Sequence, residues 1–525
     1  MFHKTLALTA LCLTLDVTSA RSSPESNNSS TNVFISLLEN ARRITVAAFL
    51  PTSTSPRDLQ VMDPTKNYHY TQMGVDFDGQ VQDNANGAAV PLSKDGSRAA
   101  IASSGEYNAK GVTRIYDWWD PTVREWVQVG GNIVGQRRKY ALGWSIAMND
   151  DGTRIVLASP GKLYYDGSIM VYELNTSNQW VQLGSEIDPA AQKNGYAGLS
   201  VAMNNVGDRI VFGSPKTNVL KNRAKAFQLV NDEWVDLGQT LDASSRAFYG
   251  GSVAMDASGN RLVVAGRLGM FTLRVVEVWD YNDATFLWVK NEALFGVDYY
   301  YNRFGCDVDM SEDGNRIVIG AYTSDGQDLD VYNAGEFIVY DYDGTQWNAV
   351  GQKIIGTSQS DKMGESVAIS GDGSHIAIAS PYNDDGATNA GKVEVFKLDK
   401  DTQQWVQQGV DLTGSCEQDK LGQRGNAIAL DRHGRYLAVG ASNGNYYAGM
   451  SHVFEAVEGE GDDGTLDKCP AFSPTKAPTK AATAAPTKEP TKAPSKFPTS
   501  APSESPTNVP SKALPISEDS CSASI

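Results

Sequence analysis

The chain has 525 residues, of which 41% are hydrophobic, with 62 Asp and Glu against 45 Lys and Arg and a formal net charge of −17. That acidic balance argues against a nucleic-acid-binding surface. The five histidines, His3, His69, His375, His433 and His452, are not spaced as a metal pair, and no Gly-x-Ser-x-Gly elbow, phosphate-cradling loop or zinc pattern is present, so no catalytic motif is legible.

At the N-terminus a Lys is followed by an apolar run over residues 5–15 and then Val-Thr-Ser-Ala20, which reads as a secretory signal over residues 1–20. The run is too short to span a bilayer comfortably. Residues 21–65 form a leader, Ser/Asn-rich at first, to which no element is assigned. Asn27, Asn28 and Asn175 stand in Asn-x-Ser/Thr sequons and are candidate glycan acceptors.

From residue 87 onward two glycines stand nine positions apart seven times: Gly87/Gly96, Gly143/Gly152, Gly198/Gly207, Gly250/Gly259, Gly305/Gly314, Gly364/Gly373 and Gly425/Gly434. A period of roughly 50 to 60 residues marks a repeat array. Each unit reads as four short strands. A small and apolar strand such as Ser-Val-Ala-Met meets an Asp-Gly or Ser-Gly turn, and Arg-Ile-Val runs back as the second arm of a hairpin. The third strand ends in Tyr116, Tyr172, Phe227, Trp279, Tyr340, Phe396 or Phe454. The fourth opens with Trp126, Trp180, Trp234, Trp288, Trp347 or Trp405, usually as Trp-Val-Gln-x-Gly, and the seventh unit has none.

Residues 70–79 match residues 405–414 position by position, so the N-terminal stretch supplies the missing strand. The expectation is an all-β, seven-bladed β-propeller of four-stranded blades over residues 66–458, with residues 68–80 completing the last blade. Closure protects sheet edges that a linear array leaves open.

The loops between strands two and three and the crossovers between blades share one face, and the hairpins occupy the other. From the second glycine to the third-strand aromatic the count is 20 in five units, 26 in the fifth and 23 in the sixth. The additions carry Asp325, Asp328 and Asp330, and Asn383, Asp384 and Asp385, and the neighbouring crossover carries Asp298, Tyr299, Tyr300 and Tyr301. These are the candidate ligand-binding residues, since loops on a rigid scaffold concentrate binding groups. The bland alternative is a solvated acidic loop beside tyrosines that cover a blade junction.

Phe304-Gly305, Gly320-Ala321-Tyr322 and the relatives Ala158-Ser-Pro160, Gly213-Ser-Pro215 and Ala379-Ser-Pro381 resemble the FG-GAP repeat of integrin α-subunit propellers. The Trp-Val-Gln-x-Gly strand is similar to FG-GAP-like arrays of secreted microbial and algal surface proteins. The resemblance implies adhesion or ligand binding. It departs at the calcium loops, because the turns here lack alternating oxygen ligands; Asp325, Asp328 and Asp330 are the candidate Ca²⁺ ligands, and no other cofactor is expected.

Cys12 falls within the signal, leaving Cys306, Cys416, Cys469 and Cys521, with Cys416 and Cys469 the preferred disulfide and the other pairings open. Residues 459–525 read as a disordered stalk. From Pro474 to Pro510 a proline falls on nearly every fourth position, each followed by Ser or Thr, giving an extended segment on the order of 100 Å long. Its lysines make it basic and suited to contact a polyanion. No apolar segment follows it, so no transmembrane segment or lipid-anchor signal is expected at this end. The functional expectation is a secreted or cell-wall-associated, non-enzymatic adhesion and recognition protein with an extracellular glycan or protein partner. The alternatives are a secreted carbohydrate-active enzyme with a propeller active site and a purely structural wall protein.

Overall fold

The computed structural model describes residues 62–63, 65–77, 79, 86–119, 125–161, 166–187, 195–215, 223–242, 249–268, 273–295, 303–325, 331–443 and 449–459. They form seven antiparallel sheets, and the inner strands of blades two to seven contact one another in succession, the seven-bladed propeller expected. Blade six shows the pattern: Ser366–Ile369 on the inside, then His375–Ser380, Lys392–Leu398 and Trp405–Gln407 at the rim. The second glycine of every pair has positive φ, between 65° and 71°, as the hairpin requires. In blade one the inner edge at residues 88–92 is held by bonds such as Ala100 N–H to the Pro91 carbonyl, 3.1 Å, but forms no regular strand. Pro91 has no N–H to add to the ladder.

Tyr68–Gln72 pairs antiparallel with Met450–Glu458, Tyr70 facing Ala456, so the ring closes with an N-terminal strand on the last blade.

Three sets of repeated contacts join blade to blade. On the inside, a hydroxyl of one blade accepts an N–H of the next: Ser145 from Val201, Ser200 from Val253 and Ser252 from Val308, at 3.0 to 3.2 Å. At the rim, an indole N–H reaches back to the previous blade: Trp180 to the Val129 carbonyl, Trp234 to Leu183, Trp288 to Leu237 and Trp405 to Val350, at 2.8 to 3.1 Å. Trp126 does the same across the closure, to Met73 at 3.0 Å. The Trp-Val-Gln-x-Gly glycine is explained by this contact: a Cβ at Gly130, Gly184, Gly238 or Gly351 would lie 2.6 to 2.8 Å from the next blade's indole. Between rim and axis, in blades one to five the arginine two residues after the hairpin glycine donates to the equivalent glycine carbonyl of the following blade, as Arg98 to Gly152 at 2.8 Å and Arg316 to Gly373 at 2.6 Å, while blade seven has Tyr436 there. Blade six has His375 at this position, and the phenol of Tyr70 donates to Gly434 instead.

A fourth set closes on itself. The residue two before each hairpin glycine donates its N–H to its counterpart: Lys94 to Asp150, Asp150 to Asn205, Asn205 to Ala257, Ala257 to Glu312 and Glu312 to Gly371. Asp372 then donates to Arg432, and Arg432 back to Lys94 at 3.0 Å. Seven bonds of 2.8 to 3.1 Å thus encircle the axis on the hairpin face.

Tyr70 is buried at the closure, so Tyr70→Phe should cost about 1 kcal/mol for the hydrogen bond, and Tyr70→Ala about 3 to 5 kcal/mol for the lost ring. Urea unfolding of the two variants measures this; an Ala variant as stable as the parent contradicts the role of the closing strand.

Candidate functional site

Charge bridges the hairpin end of the channel. Lys94 of blade one lies 3.0 Å from Asp150 and 3.4 Å from Glu312, and Arg432 of blade seven lies 3.5 Å from the same Glu312. Blades one and five are not neighbours, so the Lys94 to Glu312 pair crosses the axis. The face bearing the crossovers is built differently.

There blade seven departs from the nine-residue spacing. Gly422, not Gly425, has the positive φ of a first glycine, packs on Ala379 and donates to the Gly440 carbonyl at 2.7 Å, as Gly364 donates to Ala379. Gly425 has none of these features, which corrects the pairing expected from the repeat. Six residues therefore separate the glycine from the strand at Ile428, against three from Gly364 to Val367. The extra residues lie across the channel mouth, with Arg424 and Asn426 at φ of 85° and 71°. The Arg424 guanidinium sits over the Trp144 ring of blade two, 4.6 Å from its centroid, and Asn426 accepts from Ser145 at 3.2 Å. A small depression of about 20 Å³, room for roughly one water, remains, lined among others by Trp144, Ser252, Cys306, Asp307, Arg424 and Asn426.

Asp307 replaces the inner-strand serine of its neighbours. Its carboxylate accepts from Ser252 Oγ and from the Val367 N–H, both at 3.0 Å, and burial pushes its pKa up to about 7. Two residues on, Asp309 accepts from the Ile369 N–H at 2.9 Å and is raised to about 6, again by burial.

Where the loops singled out from the sequence are described, their side chains make contacts within the fold. Asn383 is buried and donates to Asp361 at 2.8 Å, Asp384 accepts from the Asn389 N–H at 2.7 Å, and Asp385 lies 3.6 Å from Lys392. Asp325 is exposed and accepts from the Asn333 N–H at 3.0 Å, closing its own loop. Asp298, Tyr299, Tyr300, Tyr301, Asp328 and Asp330 lie outside the described residues, and so do Asn27 and Asn28. Asn175 sits in the turn between strands three and four of blade two, where its side-chain Oδ1 accepts from the Gln179 N–H at 2.9 Å. Among the described residues no three His, Cys, Asp or Glu side chains converge as a metal site, and no helix is long and apolar enough to cross a membrane.

Cys416 is disulfide-bonded, with its partner outside the described residues, while Cys306 keeps its thiol and donates it to the Gly364 carbonyl at 3.1 Å. Cys469, the partner expected from the sequence, lies outside the described residues.

No family model matches the sequence, and no curated protein matches it. Among solved structures the chain is similar to the hydrazine synthase of Kuenenia stuttgartiensis, with 13% identity over 70% of this chain and 94% of that one and a TM-score of 0.44. It is also similar to a putative 6-phosphogluconolactonase from Bacteroides fragilis, with 13% identity, 62% and 83% coverage and a TM-score of 0.42. A third, from Bacteroides uniformis, shows 10% identity, 65% and 89% coverage and a TM-score of 0.43. Likeness this distant carries no activity to this chain.

Asp307, Asp309, Glu394 and Asp431 are all raised by burial, to about 7, 6, 7 and 7. A carboxyl whose folded pKa exceeds its unfolded value stabilises fully below the unfolded value, and that contribution is lost as pH rises through the folded one. Stability should therefore fall between about pH 4 and 7, and Asp307→Asn should flatten that slope. Urea midpoints across this range decide it, and an unchanged slope in the variant contradicts the buried, raised carboxyl.

Proposed function

We propose that this chain is an exported adhesion and recognition protein that holds an extracellular glycan or protein ligand on the crossover face, centred on the channel mouth. The observation that carries the reading is the blade-seven insertion, which brings Arg424 to the axis and backs it with the Trp144 ring. A guanidinium stacked on an indole at a channel mouth offers a planar, polar surface suited to a sugar ring or a polar peptide side chain. Export is supported by the signal-like residues 1–20, and a mature chain beginning at Arg21 in culture medium is the corresponding observation.

The rival, a carbohydrate-active enzyme, draws support from Asp307, whose raised pKa suits an acid catalyst. Against it, Asp307 and Asp309 each accept an N–H from the inner strand of blade six, which spends them on the blade junction.

Arrays of glycans and matrix proteins probed with the full-length chain test the reading. Trp144→Ala should weaken every bound feature by roughly tenfold or more, as loss of a central aromatic anchor does. Arg424→Ala serves as the second variant, and unfolding midpoints check that both fold. A binding profile identical in both folded variants contradicts the assignment.

A further inference from the structure

The same face carries a ladder of cations and aromatic rings that runs through blades five, six and seven. Arg303, in the crossover entering blade five, lies 5.0 Å from the centroid of Tyr322 and hydrogen-bonds its hydroxyl. Lys362, in the next crossover, lies 5.5 Å from the Tyr322 ring and 3.9 Å from that of Tyr382. Lys420, in the crossover after that, lies 4.8 Å from the Tyr382 ring. Gln423 Nε2 donates to the Tyr382 hydroxyl at 3.2 Å, so the ladder ends one residue from Arg424.

The two lysines are built alike. Asp361-Lys362-Met363-Gly364 and Asp419-Lys420-Leu421-Gly422 repeat one motif, and both lysines take left-handed backbone, φ 58° and 52°. Each donates its N–H to an asparagine carbonyl of the preceding blade, Asn333 at 3.2 Å and Asn389 at 3.0 Å. Their ammonium groups are thereby aimed at one ring from two blades. Among the described residues no carboxylate forms an ion pair with either, whereas Lys66, Lys94, Lys225, Lys290, Lys353 and Lys392 each hold one. Two like charges held over one ring, neither committed to an ion pair among the described residues, form an anion-binding arrangement.

We propose that Lys362 and Lys420, with Tyr382 between them, bind a tetrahedral oxyanion, either a sulfate or phosphate ester on the recognised ligand or the same anion in solution. The ring supplies a platform that fixes the spacing of the two ammonium groups, and the neighbouring Arg303 and Arg424 extend the positive surface along a chain of such esters. The proposal deepens the recognition reading and rests on it only for the ester.

The experiment is calorimetric titration of the full-length protein with sodium sulfate and sodium phosphate at constant ionic strength, followed by dextran sulfate against plain dextran. The wild type should bind sulfate or phosphate saturably, Lys362→Gln with Lys420→Gln should weaken this by roughly tenfold or more, and the double Arg substitution should retain it. Unfolding midpoints of both variants establish that they fold. No saturable binding of either anion by the wild type, or a Gln variant that titrates like the parent, overturns the proposal. Free anion bound without any affinity for dextran sulfate upholds the site but counts against an esterified ligand.

Discussion

The circle of seven backbone hydrogen bonds on the hairpin face is the constraint on which the rest of the molecule depends. Each bond needs its donor residue at the same height in its blade, two positions before a hairpin glycine of positive φ in six blades and one position before it, at Asp372, in blade six. That requirement fixes the register of every inner strand against the next. The bond from Arg432 to Lys94 exists only if blade seven stands beside blade one, and blade seven is complete only because Tyr68–Gln72 pairs with its third strand. The circle and the closing strand are one cooperative arrangement, in which local bonds of about 1 kcal/mol each act together.

From that geometry the division of labour between the two faces follows. The hairpin end of the channel is crossed by the Lys94, Glu312 and Arg432 ion pairs, and its residues are committed to one another. On the crossover side the chain is relieved of register, so it tolerates six residues where three suffice in the other blades, and left-handed lysines ahead of two of the inner strands. Rigid rims assist: the indole contacts, and the glycines that leave room for them, hold neighbouring blades at fixed spacing, so groups on three different blades are presented at constant separation.

Much of this was legible from residue types and spacing. The glycine pairs gave the hairpins, and the match of residues 70–79 to residues 405–414 gave the closure, because a rim strand has the same chemical needs in every blade. The Arg-to-glycine contacts were hidden, since the donor and acceptor lie some fifty residues apart and each is ordinary in its own strand. Gly425 misled because it falls nine before Gly434; the competing signal was the 17-residue step from Trp405 to Gly422, equal to that from Trp126 to Gly143. Acidity and length mark the candidate loops in the sequence, and in the fold Asn383, Asp384 and Asp385 satisfy backbone and neighbouring groups, as short polar side chains in turns commonly do. The lysine ladder was missed because its members lie on separate loops, although the repeated Asp-Lys-x-Gly ahead of two inner strands was visible.

Native-state hydrogen exchange, resolved at single amides, tests the central claim most directly. The amides of Lys94, Asp150, Asn205, Ala257, Glu312, Asp372 and Arg432 should exchange together, in the slowest class, with one common free energy of opening. Rapid exchange at Lys94 and Arg432, while the amides of the middle blades stay protected, would mean that the array is open between its first and last blades and would contradict the account.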